Sequence, residues 1–283
     1  MTEDPLVGLH VSAAGSPELA FDRAKEIGAN TFQIFTRNPN QWKFKPIPDE
    51  TAAAFRKKRD EAGFRRIVDH MPYLPNLASP ERATMKISRF TLEEELKRCD
   101  VLGIDYLVVH LGSHLGKGAA VGIANIAAAC NQAISASPGK AAILLENMAG
   151  QKNCVGARFE EIRAILDRVT DAKRVGVCLD TCHVYAAGFD LTNEEAVGGT
   201  MGLFEQLVGL DRLKVVHLND SKGPLGGRLD RHENIGEGRI GRKGIRAFLH
   251  YRGIDERPII METPYEDYKT MDKSIRLARA LMQ

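Results

Sequence analysis

A disulfide pattern, a membrane span and a strong charge imbalance are all missing from this chain of 283 residues, and each absence excludes a class of protein. Five cysteines, Cys99, Cys130, Cys154, Cys178 and Cys182, are odd in number and scattered. That excludes a disulfide framework or a paired zinc ribbon and points to the reducing cytoplasm. No uninterrupted apolar run approaches the roughly 20 residues needed to cross a bilayer, so no membrane partner is expected. The opening MTEDPLVGLH is acidic and soon enters a strand pattern, unlike a secretory leader. Lys and Arg number 39 against 37 Asp and Glu, a net charge of +2. Such a balance does not by itself suggest nucleic acid, so any basic surface has to be local. Low-complexity segments and interdomain linkers are missing too. What remains is ordinary globular composition, with enough length to bury a full core.

Short apolar runs alternate with longer amphipathic stretches from end to end. The predicted strands are LVGLHVS (6–12), TFQIFT (31–36), RIVDH (66–70), YLVVHLG (106–112), AAILLEN (141–147), RVGVCLDT (174–181), LKVVHLND (213–220) and PIIMETP (258–264). Helical patterns such as SPELAFDRAKEIG, SPERATMKISRFTLEEELKRCDVLG and ARFEEIRAILDRV lie between them. Ser16-Pro17 and Ser79-Pro80 offer an N-cap followed by a first-turn proline, and Gly28 and Gly103 sit at expected helix ends. Near-continuous apolar strands suit a parallel sheet covered by helices. Eight such units over residues 1–283 predict a single α/β domain, a (β/α)8 (TIM) barrel. A doubly wound open sheet is the structural alternative.

Six of these strands end in a metal-type ligand: His70, His110, Glu146, Asp180, His217 and Glu262. In a parallel barrel all strand C-termini meet at one mouth. Any one of these side chains is readily explained as a hydrogen-bonded polar residue near the rim. Six at one structural position are not, because burying so many ionisable groups is costly unless cations offset it. The set therefore predicts a polynuclear site of zinc or similar ions. DTCH adds His183 three residues beyond Asp180, with Cys182 read as an inert thiol facing the barrel wall. DRH adds Asp230 and His232, which face one side of an extended segment. His10, His114 and His250 stay outside the ligand set: His10 and His114 suit a supporting role, and His250 a surface position.

Two loops carry nucleic-acid character. TRNPNQWKFKP (36–46) sets Trp42, the single tryptophan, among Arg37, Lys43 and Lys45, which suits stacking plus phosphate contact as well as it suits packing over the rim. Tyr73, three residues past His70, is a candidate wedge. The late loop crowds Lys222, Arg228, Arg231, Arg239, Arg242 and Lys243 beside the predicted mouth, favouring a phosphate-bearing substrate. Within it, NIGEGRI is compatible with backbone N–H groups held close to a phosphate.

In combination these segments resemble the endonuclease IV family, the zinc-dependent apurinic/apyrimidinic endonucleases of base excision repair. The resemblance is carried by HVSAAG (10–15), HLGSHL (110–115), LENMAGQ (145–151), GVCLDTCHVYAAGFDL (176–191), HLNDSKGPLGGRLDRHENIGEG (217–238) and METP (261–264), in the family's order and over nearly the whole chain. It implies three zinc ions. His70, His110 and Glu146 would hold one; Glu146 would bridge to a second completed by Asp180, His217 and Glu262; His183, Asp230 and His232 would hold the third. It implies hydrolysis of the phosphodiester 5′ to an abasic site in double-stranded DNA, giving a 3′-hydroxyl and a 5′-deoxyribose phosphate, with 3′-phosphodiesterase activity on blocked ends. Glu146 and Glu262 would be the catalytic carboxylates, and Tyr73, Trp42, Asn40 and Arg231 the DNA contacts, on a monomer without an obligate protein partner. The chain departs from the family at Asn40, where some relatives carry a basic DNA-inserting side chain, and at Met71-Pro72. A sugar isomerase on the same barrel and a non-catalytic metal-stabilised DNA-binding module are the functional alternatives. The first needs fewer ligands, and the second has no use for an open metal cluster.

Overall fold

The computed structural model describes residues 4–264 and 267–283. Met1–Glu3, which begin the acidic opening, and Tyr265 and Glu266 lie outside the described residues. In chain order the strands are β1 (Val7–Leu9), β2 (Gln33–Ile34), β3 (Val68–His70), β4 (Tyr106–His110), β5 (Ala142–Glu146), β6 (Val175–Asp180), β7 (Leu213–His217), β8 (Asp220–Ser221), β9 (His232–Glu233) and β10 (Ile259–Met261). Eight of them form one parallel sheet in the order β1-β10-β7-β6-β5-β4-β3-β2, while β8 and β9 pair antiparallel outside it. The β1–β2 edges meet through a parallel bridge between His10 and Gln33, with Val11 N–H donating to the Gln33 carbonyl at 2.8 Å. That bridge closes the barrel.

Helices α1 (Leu19–Glu26), α2 (Asp49–Ala62), α3 (Arg82–Leu102), α4 (Ala119–Ala136), α5 (Phe159–Leu166), α7 (Glu194–Leu207), α8 (Gly241–Leu249) and α9 (Tyr268–Met282) separate or follow the strands. The short α6 (Thr181–Ala187) starts directly from Asp180. By length and composition α4 would suffice to cross a membrane. Here Ile123, Ile126 and Cys130 on one side of it are buried, so core packing accounts for its apolar character.

Strand alternation fixes which side chains reach the mouth. Val68, Val108, Leu144, Cys178, Val215 and Ile260 form one buried layer inside the barrel. Two residues further along each strand come His70, His110, Glu146, Asp180, His217 and Glu262, on the same inward face. Burial of each large apolar side chain in that layer contributes about 1.5–3 kcal/mol. The same contacts that stabilise the barrel therefore set the height of its polar rim. Register then makes neighbours: His110 lies opposite Glu146, and Asp180 opposite His217.

Local departures from the predicted elements have physical causes. TFQIFT keeps only Gln33–Ile34 in the ladder, because the Thr36 N–H turns to donate to Asp69 Oδ1 at 3.1 Å. Ser16-Pro17 forms a turn ahead of α1 rather than its cap: Leu19 N–H donates to the Ser16 carbonyl at 3.1 Å. Ser79 likewise lies two residues before the N-cap Glu81, its Oγ accepting from Glu81 N–H at 3.1 Å. Gly28 and Gly103 take the expected left-handed conformation, with φ of 76° and 73°.

Closure depends on a residue without a side chain. A Cβ added to Gly8 would lie 2.0 Å from the Thr31 carbonyl oxygen, so only glycine lets β1 approach the β2 segment. Gly8→Ala is expected to lower unfolding free energy by about 3 kcal/mol, the upper range for overpacking. Urea denaturation with an unchanged midpoint would refute this role.

Candidate metal centre

Nine side chains meet at the mouth in three donor sets, each with its ligand atoms within 4.8 Å of one another. The sets are His70, His110 and Glu146; Glu146, Asp180, His217 and Glu262; and His183, Asp230 and His232. All nine predicted positions are brought together. Glu146, fully buried, is the hub. Its Oε2 lies 3.3 Å from His70 Nε2 and 3.0 Å from His110 Nε2, and its Oε1 lies 3.2 Å from His217 Nδ1. Glu262 Oε2 is also 3.2 Å from His217 Nδ1. Asp230 Oδ1 lies 3.2 Å from His183 Nε2 and 3.3 Å from His232 Nε2.

The other ring nitrogens of three of these histidines are held by the backbone. His70 Nδ1 meets the Met71 carbonyl at 2.7 Å, His183 Nδ1 the Asn147 carbonyl at 2.9 Å, and His232 Nδ1 the Glu262 carbonyl at 3.1 Å. A carbonyl only accepts, so each Nδ1 carries a proton and each Nε2 is free to coordinate. Nε2 of His183 and of His232 is buried without a hydrogen-bond partner. Unpaired buried nitrogens facing a carboxylate, in a set of nitrogen and oxygen donors, fit a divalent cation of the zinc type.

Cys182 also lies within ligand distance of Asp180 and His232, a fourth donor set that reuses two of the nine side chains. Its Sγ points to the Arg231 carbonyl at 3.6 Å, and burial pushes its pKa up to about 12. The sulfur thus faces the late loop, not the barrel wall expected from sequence.

Several supporting residues escape sequence reasoning. Asn147 and Asp180 exchange hydrogen bonds, Asp180 N–H to Asn147 Oδ1 at 2.7 Å and Asn147 Nδ2 to the Asp180 carbonyl at 3.2 Å. Asn219 donates to Asp180 Oδ2 at 2.6 Å and accepts from Glu262 N–H at 2.8 Å, tying two ligand strands together. Gln33 touches both His217 and Glu262. The LEN and HLND segments contain these asparagines, yet nothing in either segment reveals partners across the barrel.

The Gly-rich late loop departs from expectation. Its backbone N–H groups do converge on an anion, but the anion is the buried carboxylate of Asp220. Gly236, Gly238, Ile240 and Gly241 donate to it at 2.9–3.1 Å. An internal charge fills the predicted phosphate nest. Asp220 thereby folds the loop back, and the β8–β9 pairing sets Ser221 opposite His232. That pairing delivers Asp230 and His232 to the mouth.

The proposed DNA contacts divide into two groups. Tyr73 and Arg231 line the metal mouth, a cavity of about 500 Å3. The Tyr73 ring is 5.5 Å from that of His70 and 5.6 Å from that of His110, and the side chain is half exposed. Leu74, next to it in the chain, is also exposed, an apolar residue without a sequence signal. Trp42 and Asn40 lie on the outer loop and do not line that cavity. Arg37 anchors this loop: it pairs with buried Glu95 at 2.5 Å, donates to the Trp42 carbonyl at 3.1 Å and stacks 4.7 Å from the Phe44 ring. His114 accepts from Gly118 N–H and shapes its own loop, while His250 is exposed at the end of α8.

Fold and mouth together define a class: parallel (β/α)8 barrels with metal-type donor sets at the strand C-termini. The family model described as Xylose isomerase-like TIM barrel matches residues 21–282. The chain belongs to the endonuclease IV family. It is 46% identical over 277 residues to the protein named probable endonuclease 4 of Methanoculleus marisnigri, covering 98% of each sequence. To the protein of that name from Nitrosopumilus maritimus it is 44% identical, over 96% of this chain and 98% of the other. The crystal structure of endonuclease IV from Thermus thermophilus superposes with a TM-score of 0.87 at 34% identity, covering 98% of this chain and 99% of that one. A D-tagatose 3-epimerase-like protein, TM-score 0.73 at 18% identity over 97% of each chain, shares the fold alone.

Without metal, the donor sets hold protons instead. Burial opposes the charged form of His232, but Asp180, Asp230 and Glu262 overcome it and raise its pKa to about 9. His183 is raised well above the usual imidazole value in the same way, against burial, by Asp180, Asp230 and Glu146. His232 is therefore protonated at about pH 7.5, and each ring must present an unprotonated Nε2 to coordinate. Zinc loading at that pH should release at least about one proton from this set, read as a titration enthalpy that varies with buffer ionisation enthalpy. Affinity should rise with pH until His232 titrates near pH 9. Buffer-independent enthalpy would contradict the assignment.

Proposed function

We propose that this chain is a zinc-dependent AP endonuclease, hydrolysing the phosphodiester 5′ to an abasic site in duplex DNA to leave a 3′-hydroxyl and a 5′-deoxyribose phosphate. The same chemistry gives it 3′-phosphodiesterase activity on blocked ends, and it acts as a cytoplasmic monomer. The observation that carries this reading is the three donor sets, two of them sharing Glu146, opening into one cavity at the barrel mouth. Membership of the endonuclease IV family and the names of its relatives support it.

His70, His110 and Glu146 would hold one zinc ion, Glu146, Asp180, His217 and Glu262 a second, and His183, Asp230 and His232 a third. Bound there, zinc supplies Lewis-acid stabilisation of the phosphate and lowers the pKa of water toward about 7. The protein supplies the rest. Glu262, whose carboxylate is the more open of the two glutamates, accepts a hydrogen bond from the attacking water and orients it. Glu146, buried between imidazoles, stays ionised: burial opposes this, but His110 and His217 hold its pKa well below the ordinary carboxylate range. Arg231 at the rim pairs with a backbone phosphate. Tyr73 and Leu74 occupy the gap left by the missing base, while an abasic nucleotide, cheap to unstack, turns into the cavity. Trp42 and Asn40 on the anchored outer loop contact the flanking duplex.

The test is incision of a labelled duplex carrying one tetrahydrofuran abasic analogue, which cannot undergo β-elimination. A single cut 5′ to the lesion is expected, lost on chelation, restored by zinc, and reduced at least about a thousandfold by Glu146→Gln. Full activity in that variant would contradict the role of Glu146. No incision by a zinc-loaded wild type, with turnover of a free sugar instead, would move the chain to the isomerase reading.

A further inference from the structure

Gln33 is fully buried at the barrel seam and touches three polar side chains. Its Oε1 lies 2.8 Å from His217 Nε2, and its Nε2 lies 2.6 Å from Glu262 Oε1 and 3.1 Å from His10 Nδ1. These contacts fix the amide orientation. Its two N–H hydrogens meet two acceptors, and its oxygen accepts one ring N–H. The reversed amide would set oxygen against a carboxylate and N–H against N–H.

Nε2 of His217 therefore carries a proton that it donates to Gln33, which leaves Nδ1, facing Glu146 and Glu262, as the nitrogen able to coordinate. This makes His217 unlike its neighbours. His70, His183 and His232 each donate Nδ1–H to a backbone carbonyl and present Nε2. A main-chain carbonyl holds a ring whatever side chain is chosen. His217 presents the opposite nitrogen, and a side chain on another strand makes it do so. The same side chain occupies one oxygen of Glu262, leaving Oε2 to face His217 and the donor set.

We infer that Gln33 is the positioning residue of the four-ligand set: it selects Nδ1 of His217 as the coordinating atom and aims one oxygen of Glu262 at the same ion. This rests on the reading that Glu146, Asp180, His217 and Glu262 hold a metal. Loss of Gln33 is expected to weaken one zinc site and spare two, because neither His70 with His110 nor His183 with Asp230 and His232 contacts its amide.

Gln33→Met keeps volume and burial and deletes all three hydrogen bonds. Zinc-loaded wild type and variant would be dialysed against graded chelator, with retained metal counted by plasma mass spectrometry. The expected result is one ion released from the variant at about 10–100-fold lower chelator strength, with two retained. Nitrogen-15 NMR of the zinc-loaded wild type should show His217 protonated at Nε2 and bound through Nδ1. Should Gln33→Met fail to fold, Gln33→Asn, too short to reach either partner, carries the same expectation. A variant that keeps all three ions as tightly as wild type, or loses all three together, overturns the inference. A wild type that takes up no zinc overturns the metal-centre reading, and this inference with it.

Discussion

Everything at the barrel mouth depends on keeping one buried carboxylate charged. Glu146 has no contact with solvent, and a lone ionised carboxylate in that position would cost several kcal/mol. Imidazoles from β3, β4 and β7 surround its two oxygens, and His183 Nδ1 stands 3.5 Å away. Without metal, ring N–H groups can hold that charge; to bind a cation beside it, each imidazole must instead present a lone pair inward. The demand spreads outward, from Glu146 to the rings, to the carbonyls of Met71, Asn147 and Glu262, and to Gln33. A divalent cation in each donor set would satisfy this demand with fewer protons than the metal-free state requires. That is why the residues are intelligible as one centre and not as a scatter of rim hydrogen bonds.

The scaffold meets this demand with ordinary means. A layer of six inward residues fills the barrel, and strand alternation brings a polar side chain into place two residues above each. The third donor set lacks a barrel strand of its own. Asp230 and His232 arrive on a long loop, and the Asp220 carboxylate folds that loop by collecting backbone N–H groups from residues 236–241. Arg37 and Glu95 do comparable work for the outer loop bearing Trp42. Buried charges thus organise loops from below, and the exposed surfaces of Tyr73 and Arg231 stay open at the rim.

Much of this was legible in the sequence, for a physical reason. A parallel barrel turns sequence alternation into a ring, so a ligand residue at the end of each apolar run reports directly on the mouth. DTCH and DRH are local motifs, and His183, Asp230 and His232 could be found from spacing. What alternation does not encode is the partner of a polar group in another part of the chain. Gln33 reads as a polar residue interrupting TFQIFT, and its contact with Glu262 spans 229 positions. Asp220 sits in HLND without any sign that its acceptors are needed 16–21 residues later. NIGEGRI was legible as a nest but not as one already filled from inside. Ser16 and Ser79 each lie two residues before the observed N-caps, Glu18 and Glu81, and form turns ahead of the helices instead of capping them.

The central claim is that nine side chains form a single centre of three ions with Glu146 shared between two. Anomalous diffraction at the zinc edge from crystals of the zinc-loaded protein tests it most directly. Three peaks are predicted at the mouth, one within each donor set, with one oxygen of Glu146 toward each of two. One isolated peak, or peaks away from these side chains, would contradict the account.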